Sequence, residues 1–119
     1  MRAAALAGGW MLAAAIVWLS LTPSPPRVDL ANGDKLGHFL AYGVLMFWFA
    51  FLYRGARARL GYAFLWIAMG VGLEFAQRAT GYRSFELADM AADALGVLAG
   101  ALAALSLRRA APAAGKEAP

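Results

Sequence analysis

Hydrophobic residues along the chain fall into four long runs separated by short polar or proline-containing segments. A helix rises about 1.5 Å per residue and the hydrocarbon core of a membrane is about 30 Å thick, so a run of about 20 apolar residues predicts a membrane-spanning helix. The pattern therefore predicts an all-α polytopic membrane protein, a four-transmembrane-helix bundle. The predicted spans are residues 3–21, 35–53, 60–77 and 85–107.

The segments between the runs carry signals that end helices. Three prolines within residues 22–26 stop the first run, because proline lacks the N–H that continues a helix. Residues 54–59 alternate arginine with small residues and predict a basic turn, and residues 80–84 predict the next loop. We expect a single transmembrane domain over residues 1–107 and a short, basic, disordered cytoplasmic tail over residues 108–119.

The composition indicates the same class of protein. Hydrophobic residues make up 62% of the 119 positions and charged residues 15%, which is too apolar for a soluble domain of this length and excludes a disordered chain. The chain has no cysteine, so disulfides and thiolate metal sites are excluded. Arginines in cytoplasmic loops explain the net charge of +4, so we expect no nucleic-acid partner.

Basic residues set the expected orientation, because lysine and arginine accumulate on the cytoplasmic side of a membrane. Both termini are therefore expected in the cytoplasm, and the protein in the cytoplasmic (inner) membrane. The alternative that residues 1–21 form a cleaved signal peptide stays open. Seven basic residues share the cytoplasmic side, and they are Arg2, Arg54, Arg57, Arg59, Arg108, Arg109 and Lys116.

Polar side chains recur at helical spacing near the external ends of three spans. Asp34, His38 and Tyr42 are four residues apart, so they share one face of the second span. Gly96 and Gly100 predict close helix packing further along the fourth span. Ionisable groups inside a membrane are costly and by default face the bundle interior or a wet cavity. We expect a polar pocket at the external leaflet, lined by His38, Tyr42, Glu74, Gln77, Asp89 and Asp93, with Arg78 and Arg83 at its mouth.

Each pocket residue also has a structural explanation. We expect Asp34 to act as the N-cap of the second helix and not to have a chemical role. His38 has the structural alternative of a buried neutral histidine that hydrogen-bonds to a carbonyl. An ion pair with an arginine would explain Glu74. Asp89 and Asp93 lie one turn apart and repel each other unless they share a proton or a cation.

Residue chemistry suggests roles within the pocket. The candidate catalytic residues are His38, Glu74 and Asp89, with the histidine as base or nucleophile. If a divalent cation such as magnesium binds, Glu74, Asp89 and Asp93 are its expected ligands, because hard cations prefer carboxylate oxygens. Arginine suits the oxygens of an anionic headgroup. The candidate substrate-binding residues are Lys35, Tyr42, Gln77, Arg78, Arg83 and Asp93.

Three short motifs follow one another along the chain: Asp34-Lys35-Leu36-Gly37-His38-Phe39, Glu74-Phe75-Ala76-Gln77 and Gly81-Tyr82-Arg83-Ser84-Phe85-Glu86. With Asp89, Gly96 and Gly100 after them, this order resembles the VanZ-like family of small membrane proteins over about residues 20–107. The resemblance implies a helical cell-envelope protein with a role like that in resistance to teicoplanin, a glycopeptide antibiotic. Where the family commonly has Asp-x-x-x-Asn, this chain has Asp93 in place of the amide, which adds charge to the pocket.

Three functions stay open. The first is to bind or modify a lipid-linked or cell-wall precursor with an anionic headgroup at the external leaflet. The second is a metal- or histidine-dependent hydrolase or transferase acting on lipid phosphates. The third is a structural or assembly subunit whose charges are satisfied internally. The expected partners are membrane lipids and the precursor, and a homo-oligomer stays open.

Overall fold

The computed structural model consists of four α-helices over the residues it describes, which are 1–23, 33–83 and 85–110. No strand occurs within these ranges. Each helix is long and apolar enough to cross a membrane, as the four hydrophobic runs predict. The helices are α1, Arg2–Leu21; α2, Gly33–Leu52; α3, Ala56–Thr80; and α4, Leu87–Ala110.

The basic turn between the second and third spans is shorter than predicted, because α3 begins at Ala56. Gly55 is extended and precedes the helix. Arg59, a residue of the predicted turn, lies within the helix, and its Nε donates to the carbonyls of Ala50 and Tyr53 at 3.3 and 3.1 Å. The contact of this side chain with the end of α2 explains why the connection closes within a few residues.

The last two helices also extend past their predicted ends. α3 continues to Thr80 and is closed by Gly81, whose φ of 82° is the left-handed conformation that favours glycine. α4 includes residues 108–110, the first part of the predicted tail. The rest of that tail, residues 111–119, lies outside the described residues, as does the proline-rich segment after residue 23.

The centre of the bundle is the parallel pair α2 and α4, which make its most extensive contact. Both run in the same direction, since His38 meets Asp93 near one end of the pair and Phe51 meets Arg108 near the other. α3 packs against both helices, and α1 packs against α2 and α3. Within the described residues no Cα atoms of α1 and α4 approach within 8 Å, so α1 lies diagonally across from α4.

Glycines bring the backbones of α2 and α4 into contact, as the spacing of Gly96 and Gly100 predicts. A Cβ atom at Gly96 would lie 3.1 Å from the backbone nitrogen of Gly43, and one at Gly100 would lie 3.0 Å from that of Phe47. Membrane helices approach this closely only where small residues face the partner. The close crossing sets the distance across which side chains of the two helices meet.

An aromatic cluster fills the bundle away from the ionisable groups. Phe49 and Trp66 are fully buried, and the ring of Trp10 lies 5.4 Å from each of them, measured between centroids. Tyr62 stacks on Phe49 at 4.6 Å. α1 approaches because Gly9 has no side chain; a Cβ there would lie 2.8 Å from the Phe49 ring. Dispersion and ring electrostatics therefore hold α1, α2 and α3 together.

Candidate functional site

One end of the bundle gathers ionisable side chains from α2, α3 and α4, and we call it the acidic end. It comprises the beginnings of α2 and α4 and the last part of α3. Glu74, Asp89 and Asp93 are buried there. Polar residues that the helical spacing predicts for one leaflet therefore do lie at one end. The acidic end consists of Asp34, Lys35, His38, Glu74, Glu86, Asp89 and Asp93.

Lys35 is enclosed by three carboxylates. Its Nζ lies 2.8 Å from Oδ2 of Asp34 and 3.1 Å from Oδ1 of Asp89, and it also pairs with Oε1 of Glu86. Asp34 lies in the first turn of α2, where a carboxylate complements the helix dipole, and not at the N-cap for which it was predicted. Because Glu86 immediately precedes α4, the ammonium ties the start of α2 to the start of α4.

His38 lies between the two aspartates of α4. Its Nδ1 is 2.7 Å from Oδ1 of Asp93, and its Nε2 is 3.8 Å from Oδ2 of Asp89. A carboxylate only accepts hydrogen bonds, so with Asp93 ionised Nδ1 donates and Nε2 is left for a second partner. The His38 side chain is 19% exposed while that of Asp93 is 3% exposed. A ligand can therefore reach the imidazole but not the carboxylate that orients it.

Glu74 positions the start of α4. Its Oε1 accepts a hydrogen bond from the backbone N–H of Glu86 at 2.7 Å, and α4 begins at the next residue. The first N–H groups of a helix lack intrahelical acceptors, which a carboxylate can replace. This contact, and not the suggested ion pair with an arginine, gives Glu74 its structural role. One turn earlier, a Cβ at Gly70 would lie 2.7 Å from Oδ2 of Asp93, so this glycine admits the aspartate against α3.

Two of the predicted substrate-binding residues contact α1. Gln77 donates from Nε2 to the carbonyl of Ser20 at 2.9 Å. Arg83 donates from one terminal nitrogen to the carbonyls of Leu19 and Thr22, at 3.2 and 2.8 Å. The last carbonyls of a helix lack intrahelical donors, so both side chains cap α1. Within the described residues, neither of them hydrogen-bonds to the carboxylates of the acidic end.

Tyr82 and Glu86 were not among the predicted site residues. The hydroxyl of Tyr82 donates to the carbonyl of Leu21 at 2.7 Å and completes the cap on α1. Glu86 contacts Lys35 directly. Glu86 lies three residues before Asp89, so both fall on one helical face, and this spacing could have identified Glu86 as a site residue. No spacing in the sequence relates Tyr82 to α1.

The two other predicted site residues, Tyr42 and Arg78, lie outside the charged cluster. Tyr42 is buried in the hydrophobic core one turn below His38. Arg78 is exposed near the end of α3, with its guanidinium carbon 5.8 Å from the centroid of the Phe85 ring. Arg78 is therefore the predicted rim residue that is most open to a ligand.

The carboxylates that lie close together are not the set Glu74, Asp89 and Asp93 that the sequence predicts as cation ligands. Within the described residues, the set with ligand atoms within 4.8 Å of one another is Asp34, Glu86 and Asp89. Lys35 pairs with all three, so an ammonium stands where a divalent cation would bind. While Lys35 is in this position, the arrangement does not fit magnesium.

A family model described as VanZ/LLP1 matches residues 10–108. The chain belongs to this VanZ-like family. The match covers most of α1 and nearly all of α4, and it confirms the resemblance that the three motifs indicate. No curated protein and no solved structure matches the chain.

The opposite end of this VanZ-like protein, which we call the arginine end, consists of Arg2, Arg54, Arg57, Arg59, Arg108 and Arg109. All carboxylates in the described part of the chain lie at the acidic end. Three arginines from three helices instead donate to the last carbonyls of α2. Arg2 bonds to Leu52, Arg59 to Ala50 and Tyr53, and Arg108 to Phe51.

Proposed function

We propose that this multi-pass VanZ-like protein crosses the cytoplasmic membrane with both termini in the cytoplasm. The arginine end then faces the cytoplasm, where positive charge accumulates, and the acidic end opens to the outer leaflet. In this proposal α1 remains part of the protein. The hydrogen bonds that Gln77 and Arg83 make to its carbonyls support this, because its removal would leave both side chains without these acceptors.

The proposed function is to bind or modify a lipid-linked or cell-wall precursor of the envelope at the acidic end. The observation that carries this proposal is the position of His38. Its partly exposed imidazole hydrogen-bonds to the buried Asp93 at 2.7 Å and faces Asp89. Ionisable groups at membrane depth are rare and by default mark a functional site. A histidine in this setting can accept or donate a proton near neutral pH.

Charge determines how such a precursor would lie. Lys35 is enclosed by carboxylates and Arg83 caps α1, whereas Arg78 is exposed. In this proposal the phosphate of the headgroup lies at Arg78, on the rim, because the acidic cluster repels it. The uncharged or cationic part of the headgroup points toward Asp89 and His38.

Binding can be measured with the full chain in lipid nanodiscs and a polyprenyl diphosphate as the probe. We expect Arg78→Gln to weaken binding about fivefold, which corresponds to about 1 kcal/mol for one exposed charged contact. Arg57, which is also exposed but lies at the other end, provides the matched control, and Arg57→Gln should leave affinity unchanged. Equal affinities of the wild type and Arg78→Gln would contradict the proposed headgroup site.

A second candidate is a histidine-dependent hydrolase or transferase acting on lipid phosphates. The Asp93–His38 hydrogen bond favours it, because a carboxylate that fixes one ring nitrogen leaves the other free as a general base. Nε2 would accept the proton of a water or alcohol as its oxygen bonds to the phosphorus. The P–O bond to the lipid alcohol or to the outer phosphate breaks, and the protonated imidazole returns its proton to the oxygen that leaves. We expect the wild type to release the lipid alcohol or phosphate and His38→Gln to release neither. A chelator should leave the activity of the wild type unchanged, because Lys35 occupies the group of carboxylates that could bind a metal ion. Absence of turnover would exclude this candidate.

The family resemblance suggests a cellular test. Expression of the wild-type chain in a glycopeptide-susceptible bacterium should lower its sensitivity to teicoplanin, and His38→Gln at equal membrane abundance should not. If the variant protects as well as the wild type, the ionisable cluster has a structural or assembly role and the proposed chemistry is wrong.

A further inference from the structure

Within the described residues, no carboxylate lies at the arginine end to balance its positive charge. Arg59 and Arg108 both donate to carbonyls within residues 50–53 at the end of α2, and Arg54 is the next residue of the chain. The hydrogen-bond acceptors of Arg59 and Arg108 are carbonyls of α2, and a helix terminus carries only about half an elementary negative charge. Three neighbouring guanidinium groups therefore repel one another, and an anion among them would relieve that repulsion.

One donor in this cluster lacks an acceptor. The Nε–H of Arg108 is buried and has no hydrogen-bond partner among the described residues, although a terminal nitrogen of the same guanidinium donates to Phe51. Leaving a buried donor unsatisfied is unfavourable, and more so for a charged group. Phosphate oxygens match the planar fork of arginine and accept from several of its N–H groups at once.

We propose that Arg54, Arg59 and Arg108 form a site for the phosphate group of an anionic phospholipid from the surrounding leaflet. These side chains lie at the ends of membrane-spanning helices, which is the depth of lipid headgroups. Anionic lipid surfaces attract basic residues placed there. The site is separate from the ligand of the acidic end and requires only that the protein spans a membrane.

Neighbouring apolar side chains favour a lipid over free phosphate. Phe51, Leu60 and Leu107 are exposed and each is adjacent in sequence to, or within three residues of, an arginine of the site. The glycerol and first acyl carbons of a bound lipid would cover such side chains. Inorganic phosphate would satisfy the guanidinium groups but leave the apolar surface uncovered.

The test is a thermal-unfolding measurement on the full chain in detergent with three additives: phosphatidylglycerol, phosphatidylcholine and inorganic phosphate. We expect phosphatidylglycerol to raise the melting temperature by several degrees, since a ligand that binds only the folded state stabilises it, while the other two raise it little. An equal rise with phosphatidylcholine would overturn charge recognition. An equal rise with inorganic phosphate would overturn the lipid as the occupant.

Variants separate a defined site from diffuse surface charge. Arg54→Gln should lose at least half of the stabilisation by phosphatidylglycerol, because Arg54 belongs to the cluster but is exposed and can be replaced without unfolding the bundle. Arg57→Gln removes one positive charge from the same end, but outside the three-arginine site. This variant should keep most of the stabilisation by phosphatidylglycerol. If both variants lose the same fraction, the three-arginine site is wrong. Native mass spectrometry of each variant should report the same order of lipid retention.

Discussion

The two ends of the bundle satisfy their charged side chains in different ways. At the acidic end, side chains of α4 meet complementary side chains of α2: Asp93 hydrogen-bonds to His38, and Asp89 pairs with the ammonium of Lys35. At the arginine end, Arg2 and Arg59 meet backbone carbonyls of α2. A buried charge that loses its partner remains in a poorly solvated place, whereas a carbonyl at a helix end can turn to water or lipid headgroups. The acidic end is therefore the more demanding of the two to assemble.

The end of α1 shows that carbonyl capping is not confined to the arginine end. Gln77, Tyr82 and Arg83 donate to its last carbonyls, beside the acidic end. Side chains from other elements thus cap both α1 and α2, whereas α3 ends on the left-handed Gly81. Capping of this kind joins a helix to its neighbours and contributes to tertiary structure.

The largest effect is expected from the crossing that holds both ends in register. Gly96→Leu places a side chain against the backbone of Gly43 and should destabilise the protein by at least about 3 kcal/mol, at the upper end of overpacking effects. Gly72→Leu is the control, because a Cβ at Gly72 has no neighbour within 4 Å. Detergent unfolding followed by circular dichroism measures both. Similar stabilities of the two variants would contradict the close crossing of α2 and α4.

The next largest effect tests charge pairing at the acidic end. Lys35→Met leaves Asp34, Glu86 and Asp89 without their shared cation, and should cost about 2 kcal/mol, less than a fully buried pair because Lys35 is partly exposed. Millimolar magnesium should restore part of the stability of this variant and leave the wild type unchanged, since the vacated carboxylates suit a hard cation. Adding Asp89→Asn to Lys35→Met should also restore stability. A variant as stable as the wild type would show that the pairing contributes nothing.

A smaller effect is expected at the arginine end. Arg59→Gln removes the donor to Ala50 and Tyr53, and should cost about 1 kcal/mol, the net contribution of an ordinary hydrogen bond. Because no carboxylate is left unpaired, magnesium should have no effect on this variant. Thermal unfolding beside Lys35→Met gives the direct comparison, and a greater loss for Arg59→Gln would reverse the contrast between the two ends.

The smallest change in stability is expected for Asp93→Asn. The amide keeps the shape and can still bond to His38, while it removes a buried charge, so stability should change by less than about 1 kcal/mol. Turnover of a lipid phosphate through His38, the second candidate activity, should nevertheless fall, because an amide does not stabilise the protonated imidazole as a carboxylate does. A variant that remains stable and keeps full turnover would show that the Asp93 charge is dispensable. One that unfolds would assign the charge a structural role.

Hydrophobic patterning was sufficient for the architecture and for the position of most ionisable groups. The four apolar runs predict the four helices, because only a helix satisfies its own backbone within a membrane. The spacing of Asp89 and Asp93 places both on one face, and they do lie against the same histidine. Periodicity is reliable here because it follows directly from 3.6 residues per turn.

The groups to which these side chains bond could not be predicted from the sequence in the same way. Arg83 and Gln77 share chemistry with ligand-binding residues, yet both cap α1, a helix more than 50 residues away in the chain. Spacing identifies the face on which a side chain lies, but not which backbone group of another helix is within reach. The grouping of Asp34 with Glu86 around Lys35 likewise depends on how the starts of α2 and α4 meet.

By itself, the sequence determined the four membrane-length helices of the described residues, with six of the seven acids toward one end and most of the arginines toward the other. These features depend on local hydrophobicity and charge, which hold whatever the packing. Only the tertiary structure decided that α2 and α4 form the central pair, that His38 bonds to Asp93, and that Lys35 occupies the carboxylate group suited to a cation. Those outcomes depend on the close approach at Gly96, because hydrogen bonds and ion pairs form only within a few ångströms and the helix crossing sets that distance.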